Sequence, residues 1–188
     1  MTRFRDMIVL DRDGVVNEDS DAFIKHPDEW RAIPRSLEAI VRLKQAGFYV
    51  ALATNQSGIR RGYYDRATFY AMQQKLQRLL CAQDSVASVD WVGFSPYLGE
   101  DASPARKPGV GMLQAIELAA GRALAGRAFV GDSLGDIQAA QRFGMRPILV
   151  RTGKGERTLK TGDPALASVP VYADLFEAVD ALLAEPGS

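Results

Sequence analysis

Two aspartates stand two residues apart in Met7-Ile8-Val9-Leu10-Asp11-Arg12-Asp13-Gly14-Val15-Val16-Asn17, directly after a short apolar run. Alternate side chains of an extended strand share a face, so Asp11 and Asp13 are expected on one side and Arg12 on the other. At a rise of ~3.3 Å per residue their Cα atoms lie roughly 7 Å apart. Two carboxylates at that spacing can share a hard cation, or one can attack a group that the other protonates. Gly14 allows the sharp turn that follows, because glycine tolerates positive φ without steric cost.

Those carboxylates need elements to hold them. Apolar strand-like runs alternate with helical patterns along the chain, which is the signature of βαβ units and a parallel sheet. The expected strands are Ile8–Leu10, Phe48–Ala53, Val89–Phe94, Ala128–Val130, Pro147–Val150 and a short edge at Val171-Tyr172. The expected helices are Ser36–Ala46, Asp65–Gln83, Met112–Ala120, Ser133–Phe143 and Asp174–Ala184, with Thr152–Pro170 read as a loop. The fold class is α/β, a Rossmann-like parallel sheet with helices on both faces. Residues 1–188 form one domain, since that length suits a single core and no linker or repeat interrupts it.

Ligands of such sheets sit beyond the carboxyl ends of the strands. The polar residues after the first four strands should therefore converge: Asp11 and Asp13, Thr54 and Asn55, Arg106 and Lys107, Asp132 and Asp136. Clustered carboxylates without an accompanying His or Cys select an oxygen-loving cation, and Mg²⁺ is the default beside phosphate. Asp136 follows Asp132 by four residues and shares its helix face. It is either a direct ligand or a first-turn helix charge that supports the metal indirectly. Lys107 and Thr54 supply the cation and hydroxyl that steady a transferring phosphoryl group. Asp11 is placed as nucleophile and Asp13 as the acid and base that serves it.

Composition narrows the partners. The chain is 47% hydrophobic and 24% charged with a formal net charge of zero. That balance argues against nucleic acid or an anionic membrane, both of which need a basic surface. The single cysteine, Cys81, permits no internal disulfide and suits a reducing compartment. The first residues lack a secretory pattern, and no run approaches the ~20 apolar residues of a membrane span. A cytoplasmic monomer acting on a small molecule is the expectation. Cys81 and the stripe Phe69, Met72, Leu76, Leu79 and Leu80 are assigned to the core, and Gly153-Lys154-Gly155 to a turn.

Asp11-x-Asp13-Gly14-Val15, Thr54, Lys107-Pro108 and Gly131-Asp132-x-x-x-Asp136 resemble, in order, the four motifs of the haloacid dehalogenase superfamily. Finer features, Asp11-Arg12-Asp13-Gly14-Val15-Val16-Asn17, Thr54-Asn55-Gln56-Ser57-Gly58-Ile59, Arg61-Gly62-Tyr63-Tyr64 and Arg106-Lys107-Pro108, are similar to the D,D-heptose 1,7-bisphosphate phosphatases. Those enzymes are close relatives of the histidinol-phosphate phosphatases, so the alternative substrate is histidinol phosphate or another small phosphomonoester. The resemblance implies removal of the C7 phosphate of the heptose bisphosphate through an aspartyl-phosphate, on the way to lipopolysaccharide or glycoprotein heptose. It implies Mg²⁺ held by the Asp11 carboxylate, the Asp13 carbonyl and Asp132. Arg106 would recognise the second phosphate, and Asn17, Asp19, Ser20, Asp21, Ala22, Asn55, Gln56 and Ser57 would line the sugar site. The short insertions imply a minimally capped member.

Two departures stand out. Many relatives carry a zinc site of three cysteines and a histidine before Arg-Lys-Pro. Here that stretch reads Ser95-Pro96-Tyr97 and Ser103-Pro104-Ala105-Arg106, so zinc is not expected and other packing must order the loop. Some relatives also place a lysine where this chain has Ser133.

Overall fold

The computed structural model describes residues 4–185. The reading of the N-terminus over Met1, Thr2 and Arg3 lies outside the described residues. Strands β1 (Asp6–Leu10), β2 (Phe48–Asn55), β3 (Trp91–Ser95), β4 (Ala128–Gly131), β5 (Arg146–Val150) and β6 (Val171–Tyr172) form one sheet. Its order is β3-β2-β1-β4-β5-β6 and every neighbouring pair is parallel.

The strands are almost unbroken apolar runs because both faces of the sheet are covered. On one face Ile8 and Leu10 of β1 and Val50 and Leu52 of β2 share a core with three helices. These are α1 (Ser36–Gln45), α2 (Arg66–Gln83) and α6 (Leu175–Ala184), which contribute Ile40, Met72 and Val179 among others. On the other face Met7, Val9, Ala51 and Phe129 pack with α3 (Gly111–Ala120) and α4 (Leu134–Phe143) through Met112, Ile116, Ala139 and Ala140. This is the α/β, Rossmann-like architecture with helices on both faces that the periodicities predict.

Helix ends follow local chemistry. Asp65 accepts the Thr68 N–H at 2.8 Å to start α2, and Asp174 accepts that of Glu177 at 2.9 Å to start α6. Gly144, at φ +79°, ends α4 in the left-handed conformation. From β1 the sheet grows through β2 and β3 in one direction and through β4 to β6 in the other. The crevice between the ends of β1 and β4 is thus the switch point where such sheets bind ligands.

Three expectations fail. Thr152–Pro170 is not a plain loop: it contains helix α5 (Gly155–Lys160) and a 3-10 turn at Pro164–Leu166. Six helical residues are too few to show a 3.6-residue period. Leu79 is 36% exposed, although Phe69, Met72, Leu76 and Leu80 are buried. Cys81 is exposed as well, because it follows Leu80 onto the outer side of α2. Among the described residues no helix is long and apolar enough to cross a membrane.

Candidate active site

Asp11 extends β1 by one residue, its N–H donating to the Val130 carbonyl of β4 at 2.9 Å. That bond brings Asp11 beside Asp132, which follows β4. Asp11, Asp132 and Asp136 each offer one carboxylate oxygen within 4.8 Å of the others, and all three are buried. Lys107 reaches the cluster from the loop before α3. Its ammonium lies 2.8 Å from Asp11 Oδ1 and 2.5 Å from Asp136 Oδ1, and it donates to the Ala53 carbonyl at 2.6 Å.

Burial pushes Asp11 up to about 7; Lys107 opposes the rise, and Asp136 and Asp13 add to it. Burial also raises Asp132 well above the carboxylate range, reinforced by Asp11 and Asp136 and opposed by Lys154. Burial works against the charge of Lys107, but Asp11 and then Asp136 outweigh it and push the lysine up. One ammonium therefore leaves uncompensated negative charge between Asp11 and Asp132. An all-oxygen set with that surplus fits a hard divalent cation. Asp136 is otherwise engaged: one oxygen meets Lys107, and the other accepts from the Ser133 N–H at 3.0 Å and hydroxyl at 2.6 Å. This geometry favours indirect support of a metal over direct ligation. The Ser133-x-x-Asp136 capping box is the sequence signal that marks this helix start.

Asp13 lies in a separate net. Burial would raise it, but the Arg12 guanidinium and hydrogen bonds from Asn17, Arg12 and Gln56 hold it below the usual carboxylate range. Arg12 does not point away as strand alternation predicts. The strand ends at Leu10, and the guanidinium turns back to both Asp13 oxygens at 2.9 and 3.0 Å and to Gln56 Oε1 at 3.2 Å. Gln56 donates to Asp13 Oδ2 at 2.6 Å and Thr54 Oγ1 at 2.8 Å, and it accepts from the Tyr64 hydroxyl at 2.5 Å. The Thr54 hydroxyl proton has no recorded acceptor among the described residues, so it is available to a ligand.

These groups open into a cleft of about 470 Å³ lined by Asp11, Asp13, Asp19, Ser20, Asp21, Thr54, Asn55, Gln56, Ser57, Arg106, Lys107, Asp132 and Lys154, among others. Ala22 lies outside that lining. Asn17 is fully buried, donating to Asp13 Oδ1 at 2.8 Å and the Glu18 carbonyl at 2.7 Å. Asn55 lines the cleft with its amide spent on the Lys107 main chain, one bond each way at 3.1 Å. Arg106 is half-buried and donates to the Tyr97 carbonyl at 2.9 Å. Leu98 N–H to Asp101 at 2.8 Å and Gly111 N–H to the Pro104 carbonyl at 2.9 Å help order the same loop.

The segment after β5 braces the site, and sequence reasoning missed it. Thr152 donates to the Gly14 carbonyl at 2.6 Å, the Lys154 N–H to Asp132 Oδ2 at 2.7 Å, and Thr158 to the Asp132 carbonyl at 2.8 Å. Gly14, at φ +87°, packs against Asp132 so closely that a Cβ there would collide with the carboxylate.

A family model described as HAD-hyrolase-like matches residues 104–178. The D-glycero-beta-D-manno-heptose-1,7-bisphosphate 7-phosphatase of Pseudomonas aeruginosa is 48% identical over 179 residues, 95% of this chain and 98% of that protein. Its namesake from Bordetella bronchiseptica is 51% identical over 156 residues, 83% of this chain and 86% of that one. The crystal structure of D,D-heptose 1,7-bisphosphate phosphatase from B. bronchiseptica, complexed with magnesium and phosphate, superposes with a TM-score of 0.90. It is 47% identical and covers 96% of this chain and 99% of that one.

Proposed function

This chain belongs to the haloacid dehalogenase-like hydrolases, and from that premise we propose that it removes the C7 phosphate of D-glycero-D-manno-heptose 1,7-bisphosphate in a magnesium-dependent hydrolysis. The observation that carries the reading is the buried Asp11–Lys107–Asp132 arrangement at the switch point, opening into a cleft large enough for a sugar phosphate. The Asp11 and Asp132 carboxylates and the Asp13 carbonyl would hold Mg²⁺, which would offset the repulsion between an anionic nucleophile and an anionic phosphate.

Asp11 attacks phosphorus, the bond to the C7 oxygen breaks, and Asp13 gives that oxygen a proton. Water then attacks the aspartyl-phosphate, loses its proton to Asp13, and releases phosphate with Asp11 restored. The hydrogen bonds around Asp13 favour its ionised form, the form the second step requires; for the first step it must take up a proton against them. Thr54 and Lys107 hold phosphoryl oxygens, and Arg106 at the rim takes the second phosphate. Asp19, Ser20, Asp21 and Ser57 face the sugar. Asn17, Asn55 and Gln56 act by positioning Asp13, Thr54 and Lys107. The working form is a single-domain cytoplasmic monomer whose product feeds lipopolysaccharide heptose synthesis.

Phosphate release with and without Mg²⁺ tests this on both heptose bisphosphate anomers, histidinol phosphate and p-nitrophenyl phosphate. A heptose bisphosphate should be fastest, and chelation should reduce release to background. Faster histidinol phosphate overturns the substrate, and no turnover on any ester overturns the enzyme. Metal analysis of the same protein should find no stoichiometric zinc.

Gly14→Ala tests the packing of the metal ligands. The added Cβ forces Asp132 aside and strains a left-handed residue. Displacement of a reacting group by about 1 Å costs on the order of 100-fold in rate. Turnover should fall at least that far, with a higher Mg²⁺ requirement; unchanged magnesium titration would contradict the assigned ligands.

A further inference from the structure

Lys154 belongs to none of the motifs, yet it reaches two walls of the cleft. Its backbone N–H holds Asp132, and its ammonium lies 2.8 Å from Asp19 Oδ2. The Asp19 side chain is only 12% exposed although Asp21 and Ala22 beside it are exposed. No hydrogen bond to the other oxygen of Asp19 is recorded among the described residues. A covered carboxylate gripped at one oxygen keeps one orientation and offers the second oxygen to a ligand in the cleft.

We propose that Lys154 is a specificity-determining positioning residue: it fixes Asp19 so that the free carboxylate oxygen accepts hydrogen bonds from hydroxyls of a polyhydroxylated phosphate ester. This rests on the sugar-phosphate reading above. Charge placement separates Lys154 from the phosphoryl-binding groups. Lys107 grips Asp11 from the β2 side while donating to the Ala53 carbonyl, whereas Lys154 arrives from the β5 side against Asp132. A second pair fixes the same segment, with the Arg157 guanidinium 3.0 and 3.2 Å from the two oxygens of Asp21. The main chain at Lys154 is anchored independently of its side chain. Thr152 is tied to Gly14, and the Gly155 Cα faces the Val150 carbonyl so closely that a Cβ would collide with it.

The test compares wild type, Lys154→Met, Lys154→Arg, Asp19→Asn and the Lys154→Met/Asp19→Asn pair on the heptose bisphosphate and on p-nitrophenyl phosphate, which has no hydroxyls for Asp19. Losing one oriented charge-assisted hydrogen bond should raise KM for the bisphosphate about tenfold in Lys154→Met, with kcat moving less than about twofold. The effect on p-nitrophenyl phosphate should be smaller, Lys154→Arg should recover most of the loss, and the pair should be no worse than Asp19→Asn alone. Equal losses on both esters, or additive effects in the pair, overturn the inference by making Lys154 a phosphate ligand or an independent group. A wild type that prefers p-nitrophenyl phosphate overturns the substrate reading and this inference together. A wild type that prefers the bisphosphate while Lys154→Met matches it overturns this inference alone.

Discussion

Asp11→Asn should abolish phosphate release, by at least about ten-thousandfold, in a protein that still folds. The amide cannot attack phosphorus, and without the nucleophile neither half-reaction starts. The replacement is nearly isosteric. Its carbonyl oxygen can still accept the Arg12 N–H, which donates to Asp11 Oδ1 at 2.7 Å, and Lys107 keeps Asp136 and the Ala53 carbonyl. Activity within tenfold of wild type would remove Asp11 as nucleophile. The same variant carries a stability signature. In metal-free protein burial pushes folded Asp11 up to about 7, against 3.8 for an unperturbed aspartate. Between those values the folded state binds a proton that the unfolded state has lost. The stability Asp11 confers is therefore full below pH ~4 and is lost as pH rises toward 7. At about 1.4 kcal/mol per unit, the decline is on the order of a few kcal/mol. Asparagine has no such titration, so in EDTA the variant's melting temperature should gain on wild type as pH rises through that window. A gap independent of pH would contradict the buried, proton-binding state of Asp11.

The strands were legible because a parallel sheet covered on both faces needs apolar residues at every position, and Met7–Leu10 and Val50–Ala53 supply them. The residues that end those strands were legible for the same reason: once the sheet is placed, Asp11, Thr54 and Asp132 have one crevice to face. The braces were not. Thr152, Lys154 and Thr158 act through hydroxyls, a main-chain N–H and an ammonium drawn from a turn and the six-residue helix after it, too short to show a period. Arg12 and Gln56 were hidden differently. Both flank motif residues, and strand alternation or sugar binding accounted for them until the geometry turned Arg12 inward onto Asp13 and spent both ends of the Gln56 amide on partners.

Lys107→Met should damage both stability and turnover. The ammonium has three protons and meets three acceptors, Asp11, Asp136 and the Ala53 carbonyl, at a side chain 3% exposed. Methionine fills similar volume and donates to none of them, leaving two buried carboxylates to repel each other without a cation. Breaking a buried pair this way costs about 3–5 kcal/mol, measurable by urea denaturation in EDTA at pH 7.5. The deficit should shrink as the medium is acidified, because Lys107 holds Asp11 down and its loss lets that carboxylate take up a proton more readily. Turnover should fall by about a thousandfold, the scale of removing one preorganised donor from a developing charge. Because every proton of Lys107 is engaged before substrate arrives, a phosphoryl oxygen must displace one of the three acceptors. Of these, Asp11 is the one whose charge is consumed when it attacks phosphorus, so the Lys107 proton it releases passes naturally to the phosphoryl group. A Lys107→Met protein as stable as wild type at pH 7.5 would mean that Asp11 is already protonated in the free protein, and this division of labour would fail.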